Sequence, residues 1–222
     1  MLERLGADCG SVLEPGCGSG RMLSALARRD LEVAGIDLST EMVEIARRRA
    51  SGATIVVGDM VDFDLGRTFG GAVCPIGTLM HLTPEELPRH LEAMGRHLRS
   101  RSRYLVQLGI LDPDEPPRTS RWHAARGETK LQVEWALAEI DPNAMRQLQR
   151  SRIEVLSGPR AGEVIEEEHE MTAWTWQAWD EVIAASPFDQ TAVYDGNEPD
   201  RPRVEHGTYG GLLWHELART AT

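Results

Sequence analysis

The feature that most constrains this chain is a glycine loop set between a strand and a helix. Ser11-Val-Leu-Glu reads as a short strand entering Pro15-Gly16-Cys17-Gly18-Ser19-Gly20. Arg21–Arg29 follows as a helix, with Met22, Leu23 and Leu26 at helical spacing. Glycines in such a loop let the backbone turn sharply and let a ligand approach it beside the positive end of a helix. The spacing is GxGxG, with Arg21 where a dinucleotide fingerprint carries its third glycine. No Lys-Ser/Thr pair follows the loop, which excludes a P-loop.

The rest of the first half continues the alternation. Glu32–Asp37 reads as a second strand, and Ser39 is placed to cap a helix over Thr40–Ala50 whose last turn carries Arg47, Arg48 and Arg49. Ala53–Val57, Gly71–Pro75 and Arg103–Leu108 read as three more strands. Between the last two, Thr83-Pro84-Glu85-Glu86 starts a helix that runs to about His97. Strands alternating with helices at this spacing predict a parallel sheet covered on both faces. The pattern changes after the Pro-rich break Asp112–Pro117. From Lys130 to Trp174 residues alternate, with turns at Asp141-Pro-Asn143 and Ser157–Gly162, which predicts three antiparallel strands. Trp176–Ala185 reads as a helix, and Thr191–Tyr194 and Gly211–Arg219 as closing strands.

Composition removes several function classes. The 24 Lys and Arg against 35 Asp and Glu give a net charge of −11, which disfavours a backbone grip on nucleic acid or an anionic membrane. No apolar run approaches the roughly 18 residues of a membrane span. The opening Met1–Asp8 lacks the apolar core of a signal peptide. Cys9, Cys17 and Cys74 form no CxxC pair or disulfide framework, which fits a reducing cytoplasm. The seven histidines form no HxH or HxxxH pair, so no metal site is expected.

The carboxylates give the loop its meaning. Asp37 ends the second strand, where a side chain can accept the hydroxyls of a ribose lying across the sheet edge. Gly58-Asp59-Met60 puts a second carboxylate and a thioether after the third strand, in the crevice where open α/β sheets bind ligands. Together, Leu13–Arg21, Ala34–Ser39, Gly58–Phe63 and Ile76–Thr83 resemble the class I S-adenosylmethionine-dependent methyltransferases, in order and at consistent spacing from about residue 11 to 110. The remainder is similar in layout to small-molecule members, including amino-sugar N-methyltransferases.

That resemblance implies a Rossmann-like, mostly parallel seven-stranded sheet with an antiparallel last strand, plus a three-stranded antiparallel insertion after strand five. It divides the chain into a cofactor-binding half (1–112), an insertion covering the substrate (113–174) and a C-terminal part completing the sheet (175–222). It implies that Glu14 organises the loop Gly16, Cys17, Gly18, Gly20 and Arg21 beneath the methionine part of S-adenosylmethionine. Asp37 would take the ribose diol, Leu38 would pack on adenine, and Asp59 and Met60 would read its edge and face. Cys74 and Ile76 would lie near the sulfonium. His81 is the candidate base, of use to a hydroxyl acceptor, whereas an amine needs only to be presented neutral. Trp122, His123 and Trp135 are the candidates for contacting a small-molecule acceptor. The expected reaction is methyl transfer to N or O of a small metabolite. Its rivals are a regulatory protein that binds the cofactor without turnover, and a nicotinamide-dependent oxidoreductase, disfavoured by Arg21. About ten residues precede the glycine loop, where relatives carry a helical lid. A homodimer in which a second subunit helps close the site is therefore expected.

Overall fold

A computed structural model describes residues 2–6, 8–111, 118–196, 202–207 and 210–221. The break Asp112–Pro117 lies outside the described residues. The chain forms two compact units, Met1–Ile110 with Trp176–Thr222, and Leu111–Thr175.

The larger unit is built on seven strands: β1 (Ser11–Pro15), β2 (Glu32–Asp37), β3 (Thr54–Val57), β4 (Phe69–Cys74), β5 (Leu98–Ile110), and then, beyond the second unit, β10 (Phe188–Asp195) and β11 (Gly211–Arg219). They lie in the order β10-β11-β5-β4-β1-β2-β3. All run parallel except β11, which is antiparallel to both of its neighbours. From β1 the chain builds outward through β2 and β3, then returns to place β4 on the other side of β1. The order of strands therefore reverses between β1 and β4, and such a switch point opens a crevice at the carboxyl ends of the strands.

Side chains alternate between the two faces of the sheet. Val12, Val33, Val73, Leu105 and Trp214 pack with Leu23 and Leu26 of α1 (Arg21–Ala27) and Val43 and Ala46 of α2 (Thr40–Arg49). Leu13 and Tyr104 belong to the opposite face, the side of α3 (Glu86–His97) and α4 (Trp176–Ala184). Local signals close the helices as read. The Ser39 hydroxyl accepts from the Met42 N–H at 3.2 Å. Ahead of α3, the Thr83 N–H donates to the Glu86 carboxylate at 2.9 Å and the Glu86 N–H donates back to the Thr83 hydroxyl at 3.3 Å, a reciprocal capping box.

The smaller unit corrects the reading of the insertion. It is a four-stranded antiparallel sheet, not three-stranded: β6 (Arg118–Arg126), β7 (Thr129–Asp141), β8 (Arg146–Ser157) and β9 (Val164–Thr172), paired in that order. The missed strand, β6, is exposed along its whole length and carries no apolar alternation, so only its pairing with β7 identifies it. The acidic run of β9 faces arginines of β8, with Arg150–Glu168 at 2.5 Å, Arg146–Glu170 at 3.1 Å and Arg152–Glu166 at 3.3 Å. No described helix is long and apolar enough to cross a membrane.

Candidate active site

The crevice at the switch point is a cleft of about 510 Å³, lined by residues of the larger unit alone. Gly16, Asp37, Leu38, Asp59, Met60 and His81 line it together, joined by Gly58, Val61, Thr78, Leu82 and Glu86. Four separate loops thus meet, one from each of β1 to β4.

Gly16 brings the glycine loop to the cleft as part of its floor. Gly16 has φ +62°, and a Cβ there would collide with Thr78 Cγ2. Any side chain at this position would push apart the turns after β1 and β4. Gly18 has φ +50°, yet nothing lies within 4 Å of where its Cβ would be. Its backbone faces open space at the head of α1, the arrangement that lets a ligand approach peptide groups closely.

Asp37 binds this loop to the cleft rim. One carboxylate oxygen accepts from the Gly18 N–H at 2.7 Å and the other from the Ser39 N–H at 3.0 Å. A carboxylate offers about four lone-pair sites. Two remain to receive a pair of hydroxyls, and the group is already held in place to receive them. Beside it, Leu38 is 73% exposed, an apolar surface standing in a polar rim. Across the cleft, Asp59 accepts from the Val61 N–H at 2.8 Å, which fixes the turn carrying Met60.

Several predicted site residues sit behind the cleft. Glu14 is 3% exposed, and its Oε2 has no hydrogen-bond partner. Burial pushes its carboxyl up to about 8, against the Leu23 N–H, which favours the charged form, and with the Asp37 charge adding to the rise. Cys17 and Cys74 are buried, and burial pushes both thiols up to about 12. Arg21 is exposed at the start of α1. Ile76 stands beside the cleft, 75% exposed, with the strained φ of +61° that β-branched residues rarely adopt. The Gln107 side chain pins it by accepting the Ile76 N–H at 2.8 Å.

His81 closes the short 3-10 turn Thr78–His81 and is exposed at the cleft. The candidates on the smaller unit divide. Trp122 stands opposite Val133, and Trp135 opposite Ser120, on one face of the sheet. His123 stands opposite Gln132 on the other face, among Arg121, Glu134 and Arg152. Neighbours in a strand point to opposite faces, so these three cannot form one contact surface. Sequence reasoning also passed over His90 of α3, which is fully buried and bonds the Met60 carbonyl from behind at 2.7 Å. Its position among Leu87, Leu91 and Met94 on an otherwise apolar helix face was the available signal.

The residues present fit a nucleoside-bearing cation. The cleft offers a preorganised carboxylate with free lone pairs, a bare glycine floor, an exposed leucine at the rim, and a buried carboxyl with one unpartnered oxygen behind the loop.

Residues 12–101 match the family model described as a methyltransferase domain. The dTDP-3-amino-3,6-dideoxy-alpha-D-glucopyranose N,N-dimethyltransferase of Streptomyces fradiae is 30% identical over 193 residues, spanning 84% of this chain and 72% of that protein. The dTDP-4-amino-2,3,4,6-tetradeoxy-D-glucose N,N-dimethyltransferase of Saccharopolyspora spinosa is 39% identical over 89 residues, 40% of this chain and 36% of its own. Among solved structures, Streptomyces venezuelae DesVI aligns with a TM-score of 0.81 at 20% identity, over 99% of this chain and 87% of its own. A SAM-bound amino pentose methyltransferase of Micromonospora echinaspora aligns at 0.79 and 21% identity, with the same coverage of both chains.

Proposed function

Because this chain belongs to the class I S-adenosylmethionine-dependent methyltransferases, we propose that the cleft at its switch point holds S-adenosylmethionine and serves methylation of an amino nitrogen on a small metabolite. The observation that carries the assignment is Asp37, a carboxylate held by Gly18 and Ser39 with two lone pairs left for a ribose diol. In this reading Leu38 packs against adenine, Asp59 and Met60 form the facing wall, and Gly16–Gly20 pass beneath the methionine end. Since Asp37 and Asp59 lie at the ends of β2 and β3, the reacting end falls toward β4, where Ile76 stands.

The cofactor, when bound, supplies a methyl group already activated on a cationic sulfur. The protein then has mainly to align, desolvate and deprotonate. Alignment alone provides effective molarities of up to roughly 10⁵–10⁸ M for well-oriented partners. In this reading Ile76 offers an apolar surface that disfavours a charged ammonium, and His81, a lining residue of the cleft, would take up the departing proton.

The acceptor class we infer is an aminodeoxysugar carried on a nucleoside diphosphate, supported by the named activities of the curated relatives. Trp122 and Trp135 share one face of the smaller unit with Val133 and Ile153, and we assign that apolar face to acceptor selection. His123, on the charged face, is left out of that role. Self-association is a further part of the reading, supported by the exposed edge of β6; light scattering that finds a monomer at every concentration would remove it. A cytoplasmic setting is supported by three free, buried thiols.

The test is turnover with methyl-labelled S-adenosylmethionine and dTDP-3-amino-3,6-dideoxyglucose, read by mass spectrometry. The reading predicts label on the amino nitrogen, and a shift of acceptor preference in Trp135→Ala but not in the opposite-face control Glu134→Ala. Label appearing only on phenolic or carboxyl oxygen across a mixed acceptor panel would overturn it.

A further inference from the structure

Behind the wall of the cleft lies a line of buried polar groups that the cofactor assignment leaves unused. His90 on α3 and Tyr104 on β5 are both fully buried. The His90 Nδ1 is 2.7 Å from the Met60 carbonyl oxygen, and its Nε2 is 2.9 Å from the Tyr104 hydroxyl. The donors and acceptors follow from chemistry. A carbonyl can only accept, so Nδ1 carries the proton; Nε2 then holds a lone pair, and the Tyr104 O–H donates to it. Tyr104 in turn meets the Cys74 thiol, whose sulfur is 3.7 Å from the carbonyl of Pro15, the residue before Gly16. The line therefore runs from the wall of the cleft to the root of its floor.

Stability does not call for such a pair. Two apolar side chains of similar shape would fill the same space without desolvating an imidazole and a phenol. What the pair supplies is direction. Met60 sits in a turn after a four-residue strand at the sheet edge, where the Asp59 carboxylate holds the Val61 N–H and His90 holds the Met60 carbonyl. A single tautomer, set by that carbonyl and completed by the Tyr104 hydroxyl, anchors it from the core side. The imidazole stays neutral in that place, since burial lowers it to about 4 against the opposing pull of the Met60 carbonyl and the Asp59 charge.

We propose that His90 is a positioning residue for the cofactor, with the Tyr104 hydroxyl donating to its bare Nε2, so that the Asp59–Met60 turn stands ready as the wall for the adenine-bearing end. This rests on the reading of the cleft given above. A wall held in its bound geometry spares the ligand the cost of ordering it, and that saving appears as affinity.

The experiment uses the full chain and four variants, His90→Leu, His90→Asn, His90→Gln and Tyr104→Phe, with S-adenosylhomocysteine and 5′-methylthioadenosine as probes in calorimetry. Each is checked by thermal melting at the temperature of the titration. Asn carries an N–H where Nδ1 stood, and Gln where Nε2 stood. We expect His90→Leu to lose about tenfold or more in affinity for both probes, which share the adenosine end, and Tyr104→Phe to lose severalfold. His90→Asn should recover most of the loss and His90→Gln should not. Nitrogen-15 spectra of the wild type should show His90 protonated at Nδ1 and bare at Nε2. Should His90→Leu fail to fold, the size-conserving Asn, Gln and Phe variants decide the matter. Unchanged affinity in both His90→Gln and Tyr104→Phe, equal losses for Asn and Gln, or a proton on Nε2 would each overturn the proposal while leaving the cleft assignment intact. A wild type that binds neither probe would overturn both.

Discussion

Replacing Glu14 with glutamine tests whether the carboxyl behind the glycine loop is protonated in the folded chain. Its folded pKa of about 8 lies above the ordinary value of 4.5, because burial penalises the charged form. A group shifted upward stabilises the fold fully below its unfolded pKa and loses that contribution as pH rises through the folded value. Between those limits the folded state binds one more proton than the unfolded, and stability falls by about 1.4 kcal/mol per pH unit. From pH 6 to 7.5 that amounts to about 2 kcal/mol. A glutamine side chain would copy the shape of the neutral acid without its titration. The wild type alone does not show the effect cleanly, since His90 and His215 gain stability over part of the same window. The difference between wild type and Glu14→Gln isolates it. At about 2–4 °C per kcal/mol for a chain of this size, the melting temperature of the variant should rise relative to wild type by about 4–8 °C between pH 6 and 7.5. The assay is thermal melting of both proteins across that range without cofactor. Parallel melting curves at every pH would show that Glu14 is ionised in the fold and that the argument from burial is wrong.

Three other outcomes follow from the same geometry. Gly18→Val should lose at least about tenfold in S-adenosylhomocysteine affinity by calorimetry, since a β-branched side chain would occupy the open space beside the loop at a positive φ. Normal affinity would reduce the loop to a turn. Ile76→Gly should melt at the wild-type temperature or a few degrees above it, because it releases a left-handed strain of about 1–2 kcal/mol at a side chain that buries little. His90 and His215, which burial lowers to about 4 and about 3, stabilise the fold above their ordinary value of 6.5 and lose that contribution as pH falls below it. In the Glu14→Gln background, urea unfolding should therefore show stability falling by about 1.4 kcal/mol per pH unit for each histidine below pH 6. A flat profile from pH 7 to 5 would contradict their burial as neutral groups.

Much of the larger unit was legible because its signals are local. Strand periodicity, the glycine loop and the Thr83–Glu86 capping box each reside within a few consecutive residues, and the crevice follows from the order in which strands are laid down. Asp37 and Asp59 were readable as cleft residues because the chain leaving a strand's carboxyl end in such a sheet enters the crevice. What stayed hidden depends on neighbours distant in sequence. β6 has no pattern of its own and becomes a strand only beside β7. The left-handed backbone of Ile76 is held by Gln107, 31 residues away. The protonation of Glu14 depends on the structure that buries it. The separation of His123 from Trp122 was the exception, since a period of two already places adjacent strand residues on opposite faces.

The most direct test of the account is calorimetric titration of S-adenosylhomocysteine into the wild type and into Asp37→Ala. Asp37 is tied to the fold through two backbone N–H groups at the cleft rim, and the two lone pairs left over are those assigned to the ribose. Loss of a charged acceptor costs about 1.5–3 kcal/mol, so affinity should fall roughly ten- to a hundredfold while melting shows the variant still folded. Undiminished affinity in a folded Asp37→Ala protein would contradict the account and put the cofactor elsewhere in the molecule.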